Sequence, residues 1–203
     1  MVEEINMLKE NIVTPKGSLV YPHLNRADQK FDKDGVWRAS LRLPKKDAEP
    51  LMEQITKEIE DNAANETKKR NKTIKIANAP FSEDEEGNIV FNFKLKASGI
   101  RQNGEKWSQR PVLYDSKGNI FDPQNNIIWG GTEAKVAFQP VPYFVGSIGA
   151  GVSLRLKAVQ ILNLVTGGAD ATSFGFKEED GFEAKEDNED VAPQEAKTNS
   201  SDF

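Results

Sequence analysis

Seven lysines and arginines stand at alternate positions of four short segments whose intervening residues are apolar. In VWRASLRL (36–43), Arg38 and Arg42 alternate with Trp37, Ala39, Leu41 and Leu43. In FNFKLKA (91–97), Lys94 and Lys96 alternate with Phe91, Phe93, Leu95 and Ala97. Lys135 falls between Ala134 and Val136 of AKVAF (134–138), and Arg155 and Lys157 alternate with Val152, Leu154, Leu156 and Ala158 of VSLRLKAV (152–159). Successive residues of an extended chain point to opposite sides, so each segment sorts into an apolar side and a polar side. The four polar sides together carry seven cations and no acid. A lone strand lysine usually blocks edge-to-edge pairing. This chain, however, has 32 acidic residues to distribute, and a generic surface mixes both signs. Their exclusion from four separate faces points to a polyanion whose phosphates release counterions when they meet these groups.

Between Lys94 and Arg110 five basic residues (Lys94, Lys96, Arg101, Lys106, Arg110) accompany a single acid, Glu105, and an indole, Trp107. Cations interleaved with an aromatic suit a single strand, whose unpaired bases stack on rings at about 1 to 3 kcal/mol each. The candidate stacking residues are Trp107 and Tyr143, with Tyr114 and Trp129 behind them. Trp37 shares the apolar side of its segment and is read as core.

Other features carry less chemistry. SEDEEGN (82–88) clusters carboxylates, but without the spaced ligands and terminal Glu of a calcium loop, and reads as a solvated turn. The glycines of WGGTE (129–133) and GSIGAGVS (146–153) lack the Lys-Ser/Thr ending of a phosphate-cradling loop and read as bends and turns. His23 is the only histidine and has no triad-like partner, and there is no cysteine, so disulfides, thiol nucleophiles and Cys/His zinc sites are excluded by inventory. No cofactor is expected.

These side chains need strands to present them, and the body of the chain reads as many short strands separated by Gly, Pro and Asn clusters. One helix interrupts them. Beyond Pro44, Asp47 can cap a segment in which Leu51, Met52, Ile55 and Ile59 recur at helical spacing. The expected fold class is mainly β: a barrel of the oligonucleotide-binding (OB) type with one capping α-helix. The net charge of −5 opposes a nucleic-acid reading only as an average. From Lys177 to Phe203 there are ten acids and three lysines, a net of −7, which leaves +2 on residues 1–176. Residues 177–203 contain six apolar or aromatic residues, three of them alanine, and read as a disordered acidic tail. The organisation is therefore a binding domain at 1–176 followed by a tail at 177–203. The N-terminus carries acids where a signal peptide needs a basic region, and no stretch approaches 18 consecutive apolar residues, so no membrane association is expected.

In order, the segments GVWRASLRLP, FNFKLKAS, LYDSKGN (113–119), GGTEAKVAFQPVPY (130–143) and VGSIGAGVSLRLKAVQIL (145–162), closed by an acidic end in Asp-Phe, resemble the single-stranded DNA-binding proteins of short-tailed bacteriophages of the T-odd coliphage type. The resemblance implies an OB fold, a homodimer, coating of single-stranded DNA in phage replication, recombination and repair, and promotion of strand annealing. It implies partners as well, the phage DNA polymerase and helicase-primase reached through the tail, and places the protein in the cytoplasm of the infected host. By position it assigns DNA contact to Tyr143, Lys94 and Lys135, and partner contact to Asp202 and Phe203. The sequence departs from the coliphage protein in having Trp37 in place of a smaller aromatic and a shorter, less densely acidic tail.

The DNA-binding set expected from the residues and the resemblance together is Arg38, Arg42, Lys94, Lys96, Arg101, Trp107, Arg110, Lys135, Tyr143, Arg155 and Lys157. Three rival readings stand beside a non-enzymatic DNA-binding protein. One is an RNA-binding OB domain, since stacking and phosphate contacts do not distinguish the sugars. The second is a metal-dependent nuclease using Glu83, Asp84, Glu85 and Glu86. The third is a structural protein that uses its tail without DNA.

Overall fold

Each alternating segment forms a strand, and the segment with helical spacing forms a long helix. The computed structural model describes residues 11–123 and 127–165. Its elements in chain order are β1 (Ile12–Val13), β2 (Gly17–Asp28), β3 (Val36–Leu43), α1 (Lys45–Arg70), β4 (Phe81–Glu83), β5 (Ile89–Lys96), β6 (Ser98–Ile100), β7 (Lys106–Ser108), β8 (Val112–Tyr114), β9 (Glu133–Val145) and β10 (Gly149–Asn163).

Five of the strands close on themselves. β2 pairs antiparallel with β3, β3 with β5, β10 with β9 and β9 with β2, while β5 and β10 are parallel neighbours. Closure removes the free edges that an open sheet would expose. β1 and β8 extend this circuit at β9 and β10, β4 pairs with β5, and β6 and β7 form a separate hairpin.

The apolar sides face inward as expected. Ala39, Leu41 and Leu43 of β3, Phe91 and Phe93 of β5, Val136 and Phe138 of β9, and Leu154 and Leu156 of β10 share one buried cluster. The Phe93 and Phe138 rings meet at 5.0 Å between centroids, tilted by 50° to each other. Such aromatic pairs add about 0.5 to 1.5 kcal/mol beyond their area burial. Phe138→Ala would cost about 3 to 5 kcal/mol through the cavity it leaves.

Helix α1 lays Ala48, Leu51, Ile55, Ile59 and Ala63 onto this core. Pro44 is the residue at its start, and Asp47 lies inside the first turn with no side-chain cap, where its charge still complements the helix dipole. The helix ends on Lys68, Lys69 and Arg70 and is terminated by Asn71 in the left-handed region, φ 50°. It therefore continues through the ETKKR stretch.

Two details depart from simple alternation. A register shift between Leu156 and Ala158 re-phases β10, so Ala158 is only half-buried while Val159 and Ile161 enter the core. The long strand β2 has no counterpart among the segments read from sequence. Its alternation is broken by Pro22, by Tyr21 at φ 43°, and by register shifts on either side of His23.

All described residues belong to a unit that extends to Gly167. The boundary expected at Lys177, the acidic tail, Asp202 and Phe203 lie outside the described residues. No helix among the described residues is long and apolar enough to cross a membrane.

Candidate nucleic-acid interface

The polar sides of β3, β5 and β10 form a row of like charge. Arg38 on β3 stands opposite Lys94 on β5, and Lys94 in turn stands opposite Arg155 on β10. Phe93 and Leu154, one residue back, are also register partners and are buried, so Lys94 and Arg155 both point outward. Neighbouring strands lie about 4.8 Å apart, and like charges directly opposite one another are destabilising. An anion laid along the row would remove that repulsion.

Two adjoining grooves run over this surface, and Lys94 and Ser153 line both. The larger, about 870 Å³, takes Lys96, Arg101, Trp107, Arg110, Arg155 and Lys157 from β5, β10, the β6–β7 hairpin and the segment that follows it. The smaller, about 690 Å³, takes Arg38, Asn92, Tyr143 and Ile148. Nine of the eleven residues expected from the sequence thus come together: Arg38, Lys94, Lys96, Arg101, Trp107, Arg110, Tyr143, Arg155 and Lys157.

Arg42 and Lys135 are not brought there. Arg42 lies against the β4–β5 turn, its Nε 2.9 Å from Asp84 Oδ2 and its Nη1 3.6 Å from Glu86 Oε2. Lys135 lies opposite Gln160 near the start of β9, eight residues from Tyr143, or roughly 25 Å along an extended strand. Tyr114, on β8 opposite Gln160, and Trp129 line neither groove.

The polar sides carry no acid of their own, but acids from other parts of the fold reach three of the expected cations. Asp28 lies 3.5 Å from Arg38 Nε, Asp34 lies 2.9 Å from Lys96 Nζ, and Arg101 pairs with Glu105 at 2.9 Å. The acids come from the end of β2 and from loops, which a strand-by-strand sorting does not see. Hydrogen bonding to Asp34 and its charge raise the Lys96 pKa. Asp28 is held below the ordinary carboxylate range by the Lys30 amide and, against some desolvation, by Arg38. Desolvation pushes Asp84 upward, but the amides of Asn88 and Glu86 and the Arg42 charge outweigh it, and its pKa is lowered. Among the described residues no ion pair is formed by Lys94, Arg155 or Lys157.

Both candidate stacking rings in the grooves, Tyr143 and Trp107, lie against a glycine on the neighbouring strand. Tyr143 is directly opposite Gly151, where a Cβ would stand 2.6 Å from the ring carbon Cζ and from the hydroxyl. Trp107 is directly opposite Gly99, where a Cβ would stand 2.9 Å from Cζ2. The missing side chains let each ring lie low on its sheet. Gly151 is therefore a strand residue that seats a ring, whereas the sequence places it in a turn. Trp37 is partly buried against the core and donates its Nε1 hydrogen to the Gln109 carbonyl at 2.8 Å, and the Arg110 guanidinium lies 5.9 Å from its ring centroid.

Asn62 was missed from the sequence. Its Nδ2 donates to the carbonyls of both Tyr143 and Gly151, at 2.8 and 2.9 Å, tying helix α1 to this cross-strand pair. The signal was available: Asn62 is seven residues after Ile55 and three after Ile59, so a polar residue occupies the apolar stripe of the helix.

Three of the four carboxylates of the nuclease reading are committed elsewhere. Glu83 pairs with Lys45 at 3.0 Å, while Asp84 and Glu86 face Arg42. No group of three or more His, Cys, Asp or Glu among the described residues is placed to hold a metal ion.

The family model for the single-stranded DNA-binding protein of bacteriophage T7 matches residues 12–164. The single-stranded DNA-binding protein of Escherichia phage T7 is 30% identical over 200 residues, covering 90% of this chain and 83% of that protein. The crystal structure of gp2.5, the single-stranded DNA-binding protein encoded by bacteriophage T7, superposes with a TM-score of 0.70 at 28% identity, over 87% of this chain and 100% of that one. A single-stranded DNA-binding protein from bacteriophage Enc34, solved in complex with single-stranded DNA, shares the fold at 17% identity and a TM-score of 0.57, over 78% of this chain and 90% of that one. The match spans both grooves and every strand of the closed circuit, and the chain belongs to the family of phage single-stranded DNA-binding proteins typified by that of bacteriophage T7.

Proposed function

We propose that this protein binds and coats single-stranded DNA without catalysing a reaction, through the two grooves over β3, β5 and β10. The observation that carries this reading is the outward row of Lys94 and Arg155, with no ion pair to either among the described residues, running between two glycine-seated aromatics. Phosphates follow the cations, and unpaired bases stack on Tyr143 and Trp107. A duplex keeps its bases paired and has no ring faces to offer. The closed circuit of β2, β3, β5, β10 and β9, with its single parallel contact, supports an OB barrel capped by α1.

The same reading extends to biology. The protein serves phage DNA replication, recombination and repair in the cytoplasm of the infected host, promotes strand annealing, and acts as a homodimer. Its acidic tail competes with DNA for the grooves, and once displaced offers Asp202 and Phe203 to the phage DNA polymerase and helicase-primase.

Competition binding with one labelled thymidine oligomer tests the core of the proposal. Unlabelled single-stranded DNA is expected to displace it at far lower concentration than duplex DNA. Equal competition by duplex would overturn the stacking mechanism, and preferential displacement by RNA would reassign the ligand.

A further inference from the structure

Beside the cation row runs a second row that carries no charge. Ser40 on β3 stands opposite Asn92 on β5, one step along the outward face from the pair Arg38 and Lys94. Two strand residues separate the rows, so they lie about 7 Å apart. Ser40 Oγ donates to Asn92 Oδ1 at 2.8 Å. That bond occupies the amide oxygen and leaves Asn92 Nδ2, which makes no hydrogen bond among the described residues, on a side chain that lines the smaller groove.

Part of the same groove is apolar. Val145 and Ile148 stand at the two ends of the β9–β10 turn, 42% and 50% exposed, and line the groove together with Tyr143 and Pro80. The turn is closed by the Ile148 amide, which donates to the Val145 carbonyl at 3.0 Å. The chain is braced before and after it: the Arg70 guanidinium lies 3.9 Å from the Phe144 ring centroid, and the Ala150 amide donates to the Lys75 carbonyl at 2.8 Å. The Asn92 amide donates to the Pro80 carbonyl at 2.9 Å. Two aliphatic side chains are thus held in water next to a single unused amide donor.

These groups suit one base better than the others. Asparagine reads adenine with both amide atoms, its oxygen taking the amino group and its nitrogen meeting a ring nitrogen. Here Ser40 already holds the oxygen. A lone donor suits a keto oxygen instead, which thymine has and adenine lacks, and thymine alone adds a methyl group for apolar side chains to cover. Resting on the proposed single-strand binding, we infer that the smaller groove is a base-reading subsite that favours thymine. Asn92 Nδ2 donates to a keto oxygen of the base, Val145 and Ile148 cover its methyl, and Lys94 holds a phosphate in the adjoining row.

The test measures affinities of the full chain for oligomers of thymidine, deoxyuridine and deoxyadenosine of one length at one salt concentration, each variant being compared with the wild type on the same oligomer. The wild type is expected to bind the thymidine oligomer about threefold to fivefold more tightly than the deoxyuridine oligomer, which lacks only the methyl. Ile148→Ala should remove most of that preference by weakening thymidine binding alone, and Ile148→Leu should keep it. Asn92→Ala should weaken thymidine and deoxyuridine binding alike, by about fivefold, and leave deoxyadenosine binding near the wild-type value. A wild type that binds all three oligomers equally would overturn this inference and leave the proposed function standing, whereas one that binds none of them would overturn both. A variant that weakens every oligomer by the same factor would show a structural role and overturn the assignment of that residue. Altered sedimentation of Ile148→Ala with an unchanged thymidine preference would overturn it in favour of contact with a second copy of the chain.

Discussion

Lys94 and Arg155 stand directly opposite one another on parallel strands, both pointing outward, with no carboxylate paired to either among the described residues. Arg38 continues the row on the other side of Lys94. Such a pairing opposes folding, because like charges across a ladder repel and solvent screens them only in part. Replacing Lys94 by Gln is therefore expected to leave the free protein as stable or more stable, by a few tenths of a kcal/mol, while weakening its hold on single-stranded DNA. Thermal melts and binding titrations of the same preparation would show the two properties moving in opposite directions. A joint loss would mean that Lys94 is structural.

The seat of Tyr143 makes a second expectation. A Cβ at position 151 would stand 2.6 Å from the ring, so Gly151→Ala should displace the phenol and weaken single-strand binding as Tyr143→Ala does, by about 1 to 3 kcal/mol. Asn62→Leu strips the donor from two carbonyls at once and should cost about 1 to 3 kcal/mol of stability. It should also lower DNA affinity, because it loosens the strand pair that carries the ring. Chemical denaturation and fluorescence titration would separate the two effects.

Acid sensitivity follows from the carboxylates. Asp28, Asp84, Asp115 and Glu66 all have pKa values lowered in the folded state. For Asp115 the Asn119 side chain and amide are the main cause, and for Glu66 it is the hydrogen bond from Arg70. A group with a depressed folded pKa contributes stability above its unfolded value, and that contribution is lost as the pH falls through the folded one. The melting temperature should hold steady from neutral pH down to about pH 5 and decline below about pH 4. Asp84→Asn should lower stability at neutral pH and soften the decline, which melts between pH 7 and pH 3 would reveal.

The strands and the cationic faces were legible because a half-buried strand writes its two sides at alternate positions. β3 coincides with the segment VWRASLRL, and nine of the eleven expected contact residues share one surface. What was illegible depends on elements meeting in space. Arg42 sits on a cationic face in sequence but is held by Asp84 and Glu86 from the next hairpin. Lys135 alternates as Lys94 does, yet its place on β9 sets it far from Tyr143. β2 was hidden because Tyr21 and Pro22 interrupt its alternation, and Gly151 resembled a turn glycine because the ring it seats arrives from another strand.

The acidic end offers a test that does not depend on the grooves' fine geometry. Removing residues 177–203 takes away ten acids and three lysines. If those residues compete for the cation row and carry the proposed polymerase contact, the shortened protein should bind single-stranded DNA more tightly at low salt and fail to bind the phage polymerase. Unchanged behaviour in both assays would remove the competition from the account.

The most direct measurement of the central claim is a salt titration of single-stranded DNA binding by the wild type, Lys94→Gln and Tyr143→Ala. Each phosphate neutralised contributes about −0.7 to the slope of log affinity against log salt. Lys94→Gln is expected to flatten the slope by about that amount, whereas Tyr143→Ala should lower affinity at every salt concentration and leave the slope intact. Two variants that keep both the wild-type affinity and the wild-type slope would contradict the assignment of this surface to single-stranded DNA.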